Sequence, residues 1–144
     1  MENLLQPAPI LLPVIGLVIW TQIMLGWMVA TRLPAIHAAN LGPEAGQRTA
    51  ELGDQLPKEV QWKADNYNHL LEQPTVFYAV ALALAIAGLG DGLNMWLAWF
   101  YLGSRILHSF VQSTTNIVPL RFGLFGLGTL AVIVMAVNGV IALA

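Results

Sequence analysis

Charge-free apolar stretches alternate with short polar ones along this chain. Ile10–Ala30, Gln73–Gly90 and Phe122–Ala144 contain no Asp, Glu, Lys or Arg. Each is close to the ~20 residues needed to cross ~30 Å of hydrocarbon at 1.5 Å per residue. A fourth stretch, Gly92–Leu120, is apolar in the main but holds Arg105 and His108. The pattern predicts helices near 9–33, 66–89, 93–115 and 119–143. The expected fold class is therefore all-α: an integral membrane four-helix bundle, with residues 1–144 forming a single transmembrane domain. An open sheet is excluded, because unpaired backbone groups cannot be left in lipid. The first apolar stretch has no basic flank before it and is too long for a cleaved signal, so it reads as a retained helix.

Composition agrees. The 144 residues are 57% hydrophobic and 10% charged, with a mean hydropathy of +0.67. A soluble domain carries about 25% charged residues, and a small core cannot absorb the excess apolar surface. A net charge of -2 offers no electrostatic footprint for nucleic acid. The chain has no cysteine, so disulfides, protein thiolates and Cys-ligated metals are excluded, and any thiol must arrive with a substrate.

Most of the charge lies in Pro34–Trp62, which Asn40, Gly42, Pro43, Gly46, Gly53 and Pro57 mark as a loop. Helices two and three are joined by a few residues around Gly88, Gly90, Asp91 and Gly92, which predicts an antiparallel hairpin. Arg32, Arg48, Lys58, Lys63 and Arg121 fall on one side of the membrane. By the positive-inside rule that side, with the loop 34–62, is cytoplasmic and both termini lie outside. The expected location is a cell membrane crossed several times, of the bacterial inner-membrane kind. Ala79, Ala83 and Ala87 on helix two, and Gly123, Gly126 and Gly128 on helix four, are small-residue sites for close helix contact. Trp20, Trp27, Trp96 and Trp99 read as lipid-facing or interfacial aromatics.

Function should lie where apolarity fails. A charge at the centre of a membrane helix costs about 2.5–3.5 kcal/mol on insertion scales, so it persists when paired or useful. Tyr101, Arg105, His108 and Gln112 recur on one face of helix three. Asp65, Asn68, His69 and Glu72 form a polar set on helix two. Facing each other, the two stripes would place Glu72 beside Arg105 at similar depth and leave a pocket open to the cytoplasmic side. Arg32 and Arg121 stand at the membrane boundary, where arginines commonly snorkel to headgroups. His69 and His108 also allow a haem-bearing anchor, but haem gives no reason for the Arg105 and Glu72 pair, so neither haem nor metal is expected.

Two motifs give the chain a resemblance to the MAPEG family, the membrane-associated proteins in eicosanoid and glutathione metabolism. Asp65-Asn66-Tyr67-Asn68-His69-Leu70-Leu71-Glu72-Gln73-Pro74, followed by Phe77 and Tyr78, is similar to the family's polar run ending in Asn-x-x-Glu. Arg105-Ile106-Leu107-His108 is similar to its Arg-x-x-His, and Pro119 and Arg121 recur before helix four. His69 departs from the family's Asn at that position. The resemblance covers nearly the whole chain and implies a homotrimer binding glutathione between subunits near the cytoplasmic side. It implies a transferase or peroxidase in which Arg105 is the catalytic residue. Arg32, Asn68, His69, Glu72, Tyr101, His108 and Arg121 would bind glutathione as co-substrate, and a hydrophobic electrophile or lipid hydroperoxide would reach it from the bilayer. The charges match: glutathione carries two carboxylates and one ammonium, and arginine presents a planar fork suited to carboxylates. A free thiol has a pKa of about 8.5, which an adjacent cation lowers. The alternative the resemblance leaves open is a noncatalytic lipid-binding or accessory membrane subunit on the same fold.

Overall fold

The computed structural model describes residues 7–144. Its helices are α1 (Leu11–Ala38), α2 (Lys58–Glu72), α3 (Pro74–Ile86), α4 (Gly92–Thr114) and α5 (Val118–Leu143). The loop after α1 carries two short 3-10 turns, Pro43–Gly46 and Thr49–Asp54. No strand occurs among the described residues.

The helices differ from the sequence expectation at their loop-side ends. α1 runs through Pro34 to Ala38, so Arg32 sits inside the helix and does not close it. Helix two begins at Lys58, not near 66, and its first turn carries Glu59, a favourable place for an acidic side chain beside the helix dipole. The charged loop expected over 34–62 therefore gives its last five residues to this helix, which continues beyond the apolar zone. α2 and α3 form one 29-residue rod, Lys58–Ile86. Gln73 keeps helical angles between them (φ −69°, ψ −39°), and the break in hydrogen bonding is Pro74, which has no N–H to offer the preceding turn.

α3 ends in a Schellman motif. Gly88 adopts φ +72°, while Leu89 N–H donates to Leu84 O at 2.8 Å and Gly88 N–H to Ala85 O at 3.3 Å. The tight turn that follows brings α4 back antiparallel. Gly90 accepts the N–H of Ile10 at 3.0 Å, and a Cβ on Gly90 would meet Ile10 and Ala8 at 2.8 and 2.9 Å. The start of α1 is thus tied to this turn.

α4 is the central helix, packed against α1, α2 and α5. Its polarity is reversed relative to a soluble helix. Asn94, Tyr101, Ser104, Arg105, His108, Ser109, Gln112 and Ser113 are buried, whereas Leu93, Trp96, Phe100 and Leu107 are exposed. Ile86 at 88%, Phe122 at 74% and Ile141 at 73% exposure show the same apolar exterior, which only a hydrocarbon surrounding makes reasonable. Among the described residues three helices, Leu11–Ala38, Lys58–Ile86 and Val118–Leu143, are long and apolar enough to cross a membrane. α4 is not apolar enough on average because of its interior face, but its 23 residues reach about 34 Å.

Close contact comes from fewer small residues than the sequence offered. Gly128 is the tight one: a Cβ there would lie 2.8 Å from Ser104 Oγ and 3.3 Å from Arg105 Nη2. Gly123 and Gly126 have nothing within 4 Å, and Ala79, Ala83 and Ala87 are exposed, with Ala81 buried in their stead. Near the opposite end, Asn138 Nδ2 donates to Asn94 Oδ1 at 3.0 Å, and Asn94 Nδ2 to Leu89 O at 2.9 Å, clasping α5 to the α3–α4 turn.

Candidate functional site

Arg105 lies on α4 about 13 Å, nine residues, from the loop-side end of that helix at Thr114. It is completely buried. Its Nη1 donates to Gln73 Oε1 at 3.3 Å and its Nη2 to Leu124 O at 3.4 Å, while Nε has no protein partner. The guanidinium carbon lies 5.4 Å from the centre of the Tyr101 ring and 5.6 Å from that of Phe125, so the charge is held between two π faces. Tyr101, itself buried, donates its hydroxyl to the same Gln73 Oε1 and stacks on Phe77 with ring centres 4.3 Å apart.

The partner of Arg105 is therefore an amide, not the expected carboxylate. Glu72 points out of the bundle and is exposed, as are Asp65 and Asn68. The inward stripe of α2 and its continuation is Asn66, His69 and Gln73, one residue out of phase with the Asp65, Asn68 and Glu72 set. Among the described residues the one ion pair is Arg48 with Glu51 in the exposed loop, at 3.5 Å. Arg105 has no carboxylate partner among the described residues.

His69 and His108 do meet, as the facing stripes predicted. Their rings stack with centres 4.7 Å apart and planes inclined by 25°. Rings laid face to face at that distance cannot sandwich a haem between their nitrogens. With Gln112, Val118, Arg121, Phe122 and Phe125 they line a pocket of about 250 Å³ between α2, α4 and α5. Arg121 enters from the start of α5, its Nη1 donating to Asn116 Oδ1 at 2.7 Å. Asn116 is the left-handed residue (φ +51°) that ends α4, so the turn itself aims the second cation. The pocket pairs an apolar wall with imidazole, amide and guanidinium, which suits a ligand with both polar and apolar parts.

Arg32 is not part of this cluster. Its Nη2 donates to Thr49 O at 3.3 Å and ties α1 to the loop. Two tryptophans expected to face lipid also have interior contacts. Trp20 Nε1 donates to Ser109 Oγ at 3.1 Å, and Lys63 lies 5.4 Å over the Trp27 ring. No group of three or more potential metal ligands from His, Asp and Glu occurs among the described residues. The site residues that sequence reasoning passed over are Gln73, which holds Arg105, and Phe125. The i, i+3, i+7 spacing of Asn66, His69 and Gln73 was the available signal that Gln73 turns inward.

Fold and site together define a membrane protein built as a helical bundle around a buried, uncompensated cation. The sequence model of the MAPEG family matches residues 10–141, and the chain belongs to that family. No curated protein and no solved structure matches it. Membership places it among membrane-associated proteins in eicosanoid and glutathione metabolism.

Proposed function

We propose that the protein is a membrane-bound, glutathione-dependent transferase or peroxidase acting on hydrophobic electrophiles or lipid hydroperoxides. The observation that carries this reading is Arg105: fully buried at membrane depth, with a neutral amide, a backbone carbonyl and two aromatic faces around it. Such a charge is costly and needs an anion. A thiolate is the anion whose formation it would favour, since each unit by which the thiol pKa falls is worth about 1.36 kcal/mol of preferential stabilisation. Two unpartnered atoms in the pocket wall, His69 Nδ1 and Gln112 Oε1, offer hydrogen bonds to a peptide ligand, and Arg105, three residues from His108 on α4, stands behind that wall with its Nε unpartnered.

In this reading Arg105 holds the sulfur anion, Arg121 takes a glutathione carboxylate, and the stacked histidines and Gln112 fix the peptide. Phe122 and Phe125 shield the thiolate from water and face the side from which an apolar substrate arrives. The thiolate then attacks an electrophilic carbon and the leaving group departs with its electron pair, or it attacks a peroxide oxygen, the O–O bond breaks, the alkoxide leaves with its electron pair, and a second glutathione converts the resulting sulfenic acid to disulfide and water. The outward polar face of Asp65, Asn68 and Glu72 fits a homotrimer, because these side chains lie on the outside of a rod that also exposes Leu71 and Val76. A neighbouring subunit would cover Asn68 and Glu72 and bring them to the ligand, leaving Asp65 at the loop-side rim in solvent, and Arg32 would act from the same boundary.

Isothermal titration tests the reading. Glutathione should bind the purified protein and lose affinity in Arg105→Ala; equal affinities would contradict it. Turnover of an aromatic halide with glutathione would remove the noncatalytic lipid-binding alternative, which the stacked His69 at the family's Asn position motivates.

A further inference from the structure

Seven buried side-chain atoms among the described residues lack a protein hydrogen-bond partner, and all of them lie on two helices. α2 carries Gln61 Oε1, both amide atoms of Asn66, and His69 Nδ1; α4 carries Arg105 Nε, Gln112 Oε1 and Ser113 Oγ. They also share one seam. Contacts across it run in antiparallel order: Gln73 with Arg105, His69 with His108, and Lys63 Nζ donating to Ser113 O at 3.2 Å. Asn66, between His69 and Lys63, falls level with Gln112, between His108 and Ser113. The unpartnered groups thus form a continuous file from Arg105 to the loop-side surface.

Asn66 is completely buried, Ser113 is 1% exposed and Gln112 5%. Buried polar groups left without partners are expensive, and native proteins meet the need with internal water. A ligand in the pocket does not serve here, since Gln61, Asn66 and Ser113 are not among its walls. The outer end reaches solvent, where Gln61 Nε2 donates to the exposed Asp65 carboxylate at 2.9 Å.

We propose that the α2–α4 seam holds a file of water molecules, and that this file is the exit for the proton released when the bound thiol ionises. The first half stands on the seam alone; the second rests on the glutathione reading. When the S–H bond breaks, the electron pair stays on sulfur beside Arg105. The proton passes to water and travels by Grotthuss exchange past the His69–His108 pair, Asn66 and Gln112. It leaves at Asp65, the carboxylate at the mouth. Lys63 and Arg121, which also lie near this path, are cations and cannot accept it, and Glu72 beside His69 is turned to the outer face, away from the seam. The lipid offers no base, and the seam supplies a polar path to solvent that a ligand filling the pocket does not block.

Two measurements on the full chain in lipid nanodiscs decide the matter. Hydroxyl-radical footprinting should label His108, although it is only 4% exposed, because radicals form in water beside it. Labelling should fall at least fivefold in Asn66→Leu, which fills the file with an apolar side chain, and recover in Asn66→Ser. An unlabelled His108 in the wild type, or equal labelling in Asn66→Leu, overturns the water file. Mixing with glutathione in a lightly buffered indicator should then show proton release tenfold or more slower in Asn66→Leu, at unchanged glutathione affinity. Equal release rates overturn the proton route while leaving the glutathione reading intact. Failure of glutathione to bind the wild type overturns that reading and the proton route together, and the footprinting still decides the water.

Discussion

Gln73 and Arg105 set the charge of the site between them. An amide oxygen can orient a guanidinium without cancelling it, so the full positive charge remains for a ligand anion. Two outcomes follow. Arg105→Ala should weaken glutathione binding roughly 10- to 100-fold, the range that loss of a charge-assisted hydrogen bond of about 1.5–3 kcal/mol implies; calorimetry measures it. Gln73→Glu should leave the protein folded but pair Arg105 internally, so the bound thiol ionises less readily. Its activity profile should move to higher pH, with activity lost first at neutral pH and regained in base, whereas a purely structural lesion would scale the profile without moving it. The sequence disclosed Arg105, His108 and Tyr101 because each breaks an apolar run. It did not disclose Gln73. Glu72 and Gln73 are adjacent and both polar, and a carboxylate opposite an arginine is the pairing that charge alone favours. The helix phase is set instead by Leu70 and Phe77, which are buried and turn Gln73 inward with them.

At the scale of elements, the site depends on how closely α5 approaches α4. Gly128 permits that approach, and Gly128→Ala would press a methyl group against Ser104 and the Arg105 guanidinium. Overpacking of this kind typically costs about 1–3 kcal/mol. The thermal midpoint in detergent should fall, and glutathione affinity should fall with it because Nη2 is displaced. The Asn138–Asn94 clasp lies at the other end of the same interface. Asn138→Leu should cost about 0.6 kcal/mol, the average for interhelical hydrogen bonds in membranes, without changing ligand affinity. Apolar stretch lengths gave the core of each helix in the sequence. The loop-side ends were hidden, because α1 and α2 extend beyond the apolar zone with charged and polar residues that read equally well as loop. The inside-out polarity of α4 was half legible: its polar stripe was evident, but its place among α1, α2 and α5 is a matter of packing that no single helix reveals.

For the whole molecule, the uneven spread of Lys and Arg predicts the loop side to be cytoplasmic. The chain lacks cysteine, so single reporters are clean. A cysteine at Ala45 in the loop should react with an impermeant maleimide only after the cells are opened, and one at Leu89 should react before. The reverse pattern would invert the topology. Glu72, level with Gln73 at the depth of Arg105, lies on an outer surface shared with Leu71 and Val76. Ionised carboxylates are not left against lipid. Covering Glu72 with a neighbouring subunit is the reason to expect more than one chain in the native mass spectrum of the protein released from nanodiscs, and three is the number the proposed homotrimer requires. A single chain would leave Glu72 unexplained.

The most direct test of the account is the ionisation state of glutathione held by the purified protein. An ultraviolet difference spectrum at neutral pH should show thiolate absorption with the wild type and lose it with Arg105→Ala, even at concentrations that restore occupancy. Bound glutathione that remains a thiol in the wild type, or a thiolate that persists without Arg105, would contradict the claim that this buried guanidinium generates the nucleophile.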